Sequence, residues 1–326
     1  MEINLRGRGA AGEVGRVLIL NTLAPVFLLI AIGAALQAAK FVSVDFLKEA
    51  NRVTYWLGLP ALLFSQLAGS FHSVGGARSM LVVMLAATGL VIAVSYGVSR
   101  AMRVPGAAAG TLVQGAFRGN LAFVGLPIIY AMPDATLAGG MSLRAAAVIV
   151  VAPMMVFYNT AGVVALLLSR HALGWRMVAP FLKQLATTPP LLATLAGIGF
   201  ALMGWRLPLA VDRTFASLGE MALPLGLLGV GGSLVTVKLG AAWRPPLAAA
   251  LLKTMISPAI GWAAGRWWGL GAVELKTLMI FMATPTAVVS YTVAVELKGD
   301  EGMAAGAIVL STLLSLVSLV AIIGAF

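Results

Sequence analysis

The chain has 326 residues, 60% of them apolar and only 10% charged, with a mean hydropathy of +1.00, no cysteine and two histidines, His72 and His171. A soluble domain of ordinary composition carries about 25% charged residues, so this chain is built to face lipid, and the absence of cysteine excludes disulfides, thiolate metal sites and cysteine nucleophiles. The formal charge of +11 does not indicate nucleic acid, because the basic residues lie singly or in twos and threes between apolar runs.

Crossing the hydrocarbon core takes about 20 mostly apolar residues in a helix. Ten segments qualify, at 17–39, 53–69, 79–99, 110–132, 145–169, 182–203, 214–237, 247–265, 277–297 and 302–326. The expected fold class is therefore an all-α polytopic membrane protein with ten transmembrane helices. The first segment follows Arg6, Arg8 and Arg16, but it is longer than the roughly 7–15 residues of a signal-peptide core and reads as a helix. Gly7 to Gly12 matches G-x-G-x-x-G in spacing, yet it follows no strand, so it is no dinucleotide fingerprint. No long hydrophilic stretch separates any two spans, which puts the activity inside the membrane. One set of alternate loops holds eleven Lys and Arg and the other nine including the N-terminal tail. That bias places both termini outside.

Ten spans form two sets of five, and an odd-numbered unit repeated in tandem enters the bilayer in opposite directions. The expected organisation is an N-terminal tail at 1–16, a first five-helix repeat at 17–169, a connecting loop at 170–181 and a second repeat at 182–326. Spans four and nine supply the check. Gly119-Asn120 and Pro285-Thr286 are each followed by an apolar run to an aspartate, Asp134 or Asp300, fourteen residues after Asn120 or Thr286.

Gly119 and Pro285 each break a helix, and Asn120 and Thr286 are good N-cap types for a helix that restarts. Interrupted backbone at membrane depth is tolerated where it lines a cavity or is buried in protein. A restarted half-helix offers unpaired N–H groups and the positive end of its dipole, so two such ends meeting make a site for an anion. Arg118 lies within span four, where a charge costs at least ~2.5 kcal/mol, and its planar fork of donors suits a carboxylate or a carbonyl-rich helix break.

The remaining intramembrane polar residues divide between lining the cavity and bonding between helices. Gln114, Ser65, Gln66, Tyr158, Asn159, Thr284, Ser290 and Tyr291 are the uncharged ones. Glu220, four residues before Pro224, is the candidate for proton or cation coupling, or is solvated near the interface; Lys253 has a stem long enough to snorkel. Gly226, Gly229, Gly231 and Gly232 give span seven a face for close helix contact, and Trp267-Trp268 reads as an interfacial anchor. Paired acids and a Ser/His pair at one depth are absent, as are nucleotide and zinc motifs, so no enzyme, no metal and no cofactor is expected.

Several stretches in this order resemble the auxin efflux carrier family of membrane transporters. They are Pro25 to Gly33, Asn51 through Leu59-Pro60-Ala61-Leu62-Leu63-Phe64, Arg118-Gly119-Asn120 to Pro127, Leu223-Pro224-Leu225-Gly226 with Gly231-Gly232-Ser233, and Pro285-Thr286. The resemblance implies an inverted-repeat fold in which spans four and nine cross at their breaks. Spans one, two, six and seven would form a scaffold, and spans three to five and eight to ten a moving transport domain. It also implies a small organic anion substrate, such as malate or malonate in bacterial relatives and the indole carboxylate auxin in plant ones. It further implies a homodimer through the scaffold and a place in the bacterial inner membrane. The plant crossover has Pro-Asn where this chain has Gly119-Asn120, and the start of span three has Arg78 where some plant members carry an acid. Bile-acid sodium symporters share a related architecture and provide a cation-coupled alternative, though no acidic cluster here would hold sodium. A non-transporting sensor on the same fold is the other alternative.

Overall fold

The computed structural model describes residues 23–68, 75–137, 140–169, 189–236 and 243–325. The N-terminal tail, the 170–181 loop, both histidines and the start of the first and sixth expected spans lie outside them, as do the side chains of Gln66, Ser233 and Glu296. The described residues are almost wholly helical. In chain order the helices are α1 (Leu23–Ala38), α2 (Val44–Val53, Thr54–Gly58 and Leu59–Ala68 in one run), α3 (Gly75–Ala101), α4 (Gly106–Phe117) and α5 (Leu121–Ala131). There follow α6 (Leu143–Leu168), α7 (Pro189–Leu202), α8 (Leu209–Thr236), α9 (Arg244–Trp268), α10 (Ala272–Ala283), α11 (Val289–Glu296) and α12 (Glu301–Ala325).

Local chemistry sets the helix ends. Ser43 accepts from Phe46 N at 3.0 Å and Ser142 from Ala145 N at 3.2 Å, each capping the helix that follows. Asp300 does the same for α12 through Met303 N at 2.9 Å. Gly269, at φ 78°, closes α9 in the left-handed conformation that costs glycine nothing. The Ser43 cap starts α2 nine residues before the expected span, because Val44–Val53 is an amphipathic stretch of nearly three turns that hydropathy alone rejects. Likewise α10 starts early enough to draw Lys276, expected in a loop, into the helix.

Five of the described helical runs are long and apolar enough to cross a membrane, namely Ala77–Ala101, Leu143–Leu168, Leu209–Gly232, Arg244–Trp268 and Glu301–Ala325. Leu28, Leu90, Leu195, Leu202, Leu313 and Val317 are exposed, as lipid-facing side chains must be. The chain is an integral membrane protein.

Packing follows small residues. A Cβ at Gly231 of α8 would collide with the Ile30 carbonyl of α1, so the glycine face expected there does bring two backbones together. α2 packs on α7 and α8, while α3 packs on α4, α6 and α9, and α12 on α4, α9 and α10. The buried core runs through Met80, Met84, Phe117, Leu126, Val150 and Phe281. It surrounds the short stretches between α4 and α5 and between α10 and α11.

Candidate functional site

The two breaks meet. Gly119 and Thr286 form an isolated antiparallel bridge, flanked by Asn120 N donating to the Pro285 carbonyl at 2.8 Å and Ala287 N donating to the Arg118 carbonyl at 2.9 Å. Backbone that each helix releases at its break is thus satisfied by the other break, the condition for interrupting a helix inside a membrane. The close approach requires a glycine. A Cβ on Gly119 would stand 2.5 Å from Thr284 Oγ1 and 3.0 Å from Lys253 Cε.

Asn120 caps α5 as its sequence position suggests, with Oδ1 accepting from Phe123 N at 3.2 Å. Thr286 does not cap the helix after it. Its hydroxyl donates to the Gly115 carbonyl at 2.7 Å, and its N–H donates to Ser311 Oγ at 2.9 Å. The reason is geometric, since the last carbonyls of α4 have no helical partner and Thr286 lies beside them, three residues ahead of the first turn of α11. Thr284 Oγ1 donates to the Phe281 carbonyl at 2.7 Å at the end of α10.

Arg118 is buried, at 3% exposure. One of its terminal nitrogens, Nη2, donates to Asn159 Oδ1 of α6, and the other, Nη1, has no partner among the described residues. Gln114, fully buried one turn earlier on α4, leaves both amide atoms without a partner among the described residues. These orphan donors converge beside Gly162, where a Cβ would lie 3.0 Å from Gln114 Nε2 and 3.4 Å from Arg118 Nη1. Tyr158 is buried against the Phe117 ring at a centroid distance of 5.8 Å, and Ser290 is buried with its hydroxyl unpartnered among the described residues.

Lys253 is the residue that sequence reading misplaced. It does not snorkel; it is 0% exposed, and its ammonium donates to the Met282 carbonyl at the C-terminal end of α10. The signal was a charge in mid-span, and the long stem gave it a bland explanation. Three π-helical turns among the described residues bear on this place: Thr54–Gly58, which carries Tyr55 near Arg118, Leu121–Gly125 directly after Asn120, and Leu252–Ile256, which carries Lys253. Such turns insert one residue into a helix and concentrate at functional sites. Among the described residues, no group of His, Asp and Glu could hold a metal ion, and no acid pairs with Arg118 or Lys253.

Ser65 and Glu220 lie elsewhere. They line a half-open cavity of about 500 Å³ between α1, α2 and α8 on one side and α5 and α6 on the other. The Ser65 hydroxyl donates to the Leu62 carbonyl at 3.1 Å.

A search of curated proteins found no match to this sequence. The profile of a family described as Membrane transport protein matches residues 18–323, which takes in every helix described above but the last two residues of α12. The paired breaks therefore belong to a membrane transporter, and the chain is a member of this family, that of the auxin efflux carriers.

Proposed function

We propose that this protein is a secondary transporter or uniporter for a small organic anion, with a carboxylate bound at the paired breaks. The observation that carries the reading is two buried basic side chains, Arg118 and Lys253, beside the bridge between Gly119 and Thr286, with no acidic partner among the described residues. Uncompensated buried charge is expensive, and an incoming anion relieves it. The free Nη1 of Arg118 and Nε2 of Gln114 are the first donors offered to it. Asn120 holds the N-terminus of α5 open, and Gly119 lets the two segments approach.

In this reading α4 with α5 and α10 with α11 are the halves of spans four and nine in a ten-span inverted repeat. α1, α2, α7 and α8 form the fixed scaffold, and the other helices carry the site across by an elevator movement, with both termini outside and the chain paired as a homodimer. Met282 offers its carbonyl at a half-helix end, where coupling cations bind in transporters of broken-helix design. The Lys253 ammonium takes that carbonyl, which favours a sodium-independent carrier over a sodium symporter.

The test is uptake of labelled mono- and dicarboxylates into proteoliposomes under pH, sodium and voltage gradients in turn, with Asn120→Ala beside wild type. Removing the cap costs about 1 kcal/mol of stability. The expected result is saturable flux that Asn120→Ala abolishes while the variant remains folded. Unchanged flux in that variant would remove the site from the breaks.

A further inference from the structure

Helix α5 runs from the paired breaks to the half-open cavity, and its first turn is gripped from two sides. Behind it, Gly125 leaves room for the Phe281 ring of α10, whose Cδ1 would lie 2.9 Å from a Cβ there. In front, Phe123 projects toward α8. Its N–H donates to Asn120 Oδ1 at 3.2 Å, so the cap at the break also fixes where the ring emerges.

The sequence of α8 holds five glycines, and they do not serve the same neighbours. Gly219, Gly229, Gly231 and Gly232 receive Leu62, Asn51, Ile30 and Leu47, all from α1 or α2. Gly226 alone among the five receives a residue of α5. A Cβ on it would overlap Phe123 Cδ1 and stand 2.7 Å from Cε1 and 3.1 Å from Cγ. Because Cγ is among the close atoms, turning the ring about the Cβ–Cγ bond does not fully clear the space. From this contact the two helices diverge. Pro127, Tyr130 and Ala131 of α5 and Leu223, Glu220 and Ala216 of α8 line the cavity on the way out. Eight residues of α5 and ten of α8 separate the contact from the last of these, roughly 12–15 Å of helix at 1.5 Å per residue. Phe123 on Gly226 is the vertex of a wedge.

We propose that Phe123 seated in the Gly226 notch is a latch. It holds the helix that Asn120 caps against α8 while the cavity stands open, and it has to leave the notch before that cavity can close. This rests on the transport reading above, in which α5 moves past a fixed α8. The contact suits the task, because an aromatic ring lying against backbone is held by dispersion and apolar burial, and its release leaves no polar group unpaired. Close-packed contacts of this kind switch between discrete arrangements and do not deform continuously. The ring and the Asn120 cap share one turn, so an anion at the breaks and the release of the latch act on each other.

The chain has no cysteine, so paired spin labels can be introduced without removing any native residue of that type. Asp134→Cys, in the connection after α5, and Asp212→Cys, in the first turn of α8, are both exposed and report the separation of the cavity walls. Distances are read by pulsed electron paramagnetic resonance on the full-length protein in proteoliposomes. With the latch intact, the distance of the structure is expected to predominate. Phe123→Ala empties the notch and Gly226→Ala fills it, and each is expected to lower the ratio of that distance to the others by about tenfold. Gly226→Ala added to Phe123→Ala is expected to change nothing further, because the ring it displaces is already gone. Phe123→Ala introduces no clash, so the test does not depend on the folding of Gly226→Ala. Wild-type distances in Phe123→Ala overturn the latch even where its unfolding midpoint falls, since a ring that only packs lowers stability without moving the walls. An equal effect of Gly226→Ala with and without the ring overturns it too. Either failure is distinguishable from failure of the transport reading, which is judged by flux in Asn120→Ala and not by distances.

Discussion

Replacing Gly119 by alanine tests whether the two breaks are in contact. A Cβ there would stand 2.5 Å from Thr284 Oγ1, 3.0 Å from Lys253 Cε and 3.2 Å from Lys253 Nζ. Neither neighbour is free to retreat. The hydroxyl is held by the Phe281 carbonyl at 2.7 Å and the ammonium by the Met282 carbonyl, so displacement leaves a buried polar group unpaired. Overpacking of this kind costs about 1–3 kcal/mol, and an unpaired buried group about 1–3 kcal/mol more. The substitution should lower the midpoint of thermal unfolding in detergent by several degrees, read by tryptophan fluorescence at one fixed scan rate because unfolding of such proteins is often irreversible. Thr284→Ala removes the nearest obstructing atom and leaves Lys253 in place, so the double variant should recover part of the loss. The expected coupling between the two positions is about 0.5–3 kcal/mol. A Gly119→Ala midpoint equal to wild type, or strictly additive effects in the double variant, would refute the crossing at Gly119.

Lys253→Met removes a buried amine that has no acidic partner among the described residues. Replacing buried charge by an apolar side chain of similar length is often neutral or stabilising by about 1–4 kcal/mol. The variant should therefore keep or raise its unfolding midpoint while anion flux falls; normal flux would exclude Lys253 from the site. A methyl group at Gly162 would occupy the space between Gln114 Nε2 and Arg118 Nη1, so Gly162→Ala should raise KM for the transported anion about tenfold. An unchanged KM would show that the substrate does not use those two donors.

The breaks were legible because they rest on backbone chemistry that local sequence encodes. Glycine and proline both weaken a helix, and at Gly119 and Pro285 each is followed by a residue type that can cap a restart, Asn120 or Thr286. Helix ends were less legible where amphipathic turns extend an apolar run, as Val44–Val53 does before the expected second span. The roles of Lys253 and Gly162 were not legible, because each depends on a partner far away in the chain. Lys253 reaches Met282 twenty-nine residues on, and Gly162 faces Gln114 and Arg118 across the packing of α6 on α4. Thr286 illustrates the same limit in reverse. Its residue type suits a cap, but the nearer unsatisfied group was the Gly115 carbonyl, 171 positions away in sequence.

The π turns give the region a kind of movement that a kinked helix lacks. Each holds one surplus residue, and shifting that surplus by one position along the chain rotates the residue it passes by about 100° while the helix ends stay in place. Tyr55 and Lys253 both sit within such turns, near Arg118 and at Met282 respectively. Either side chain can thus turn toward or away from the breaks by re-registering a single turn. Because Lys253 is fully buried against Gly119 and the Met282 carbonyl, such a shift has to repack the breaks themselves, which ties the register of a single turn to the geometry of the crossing.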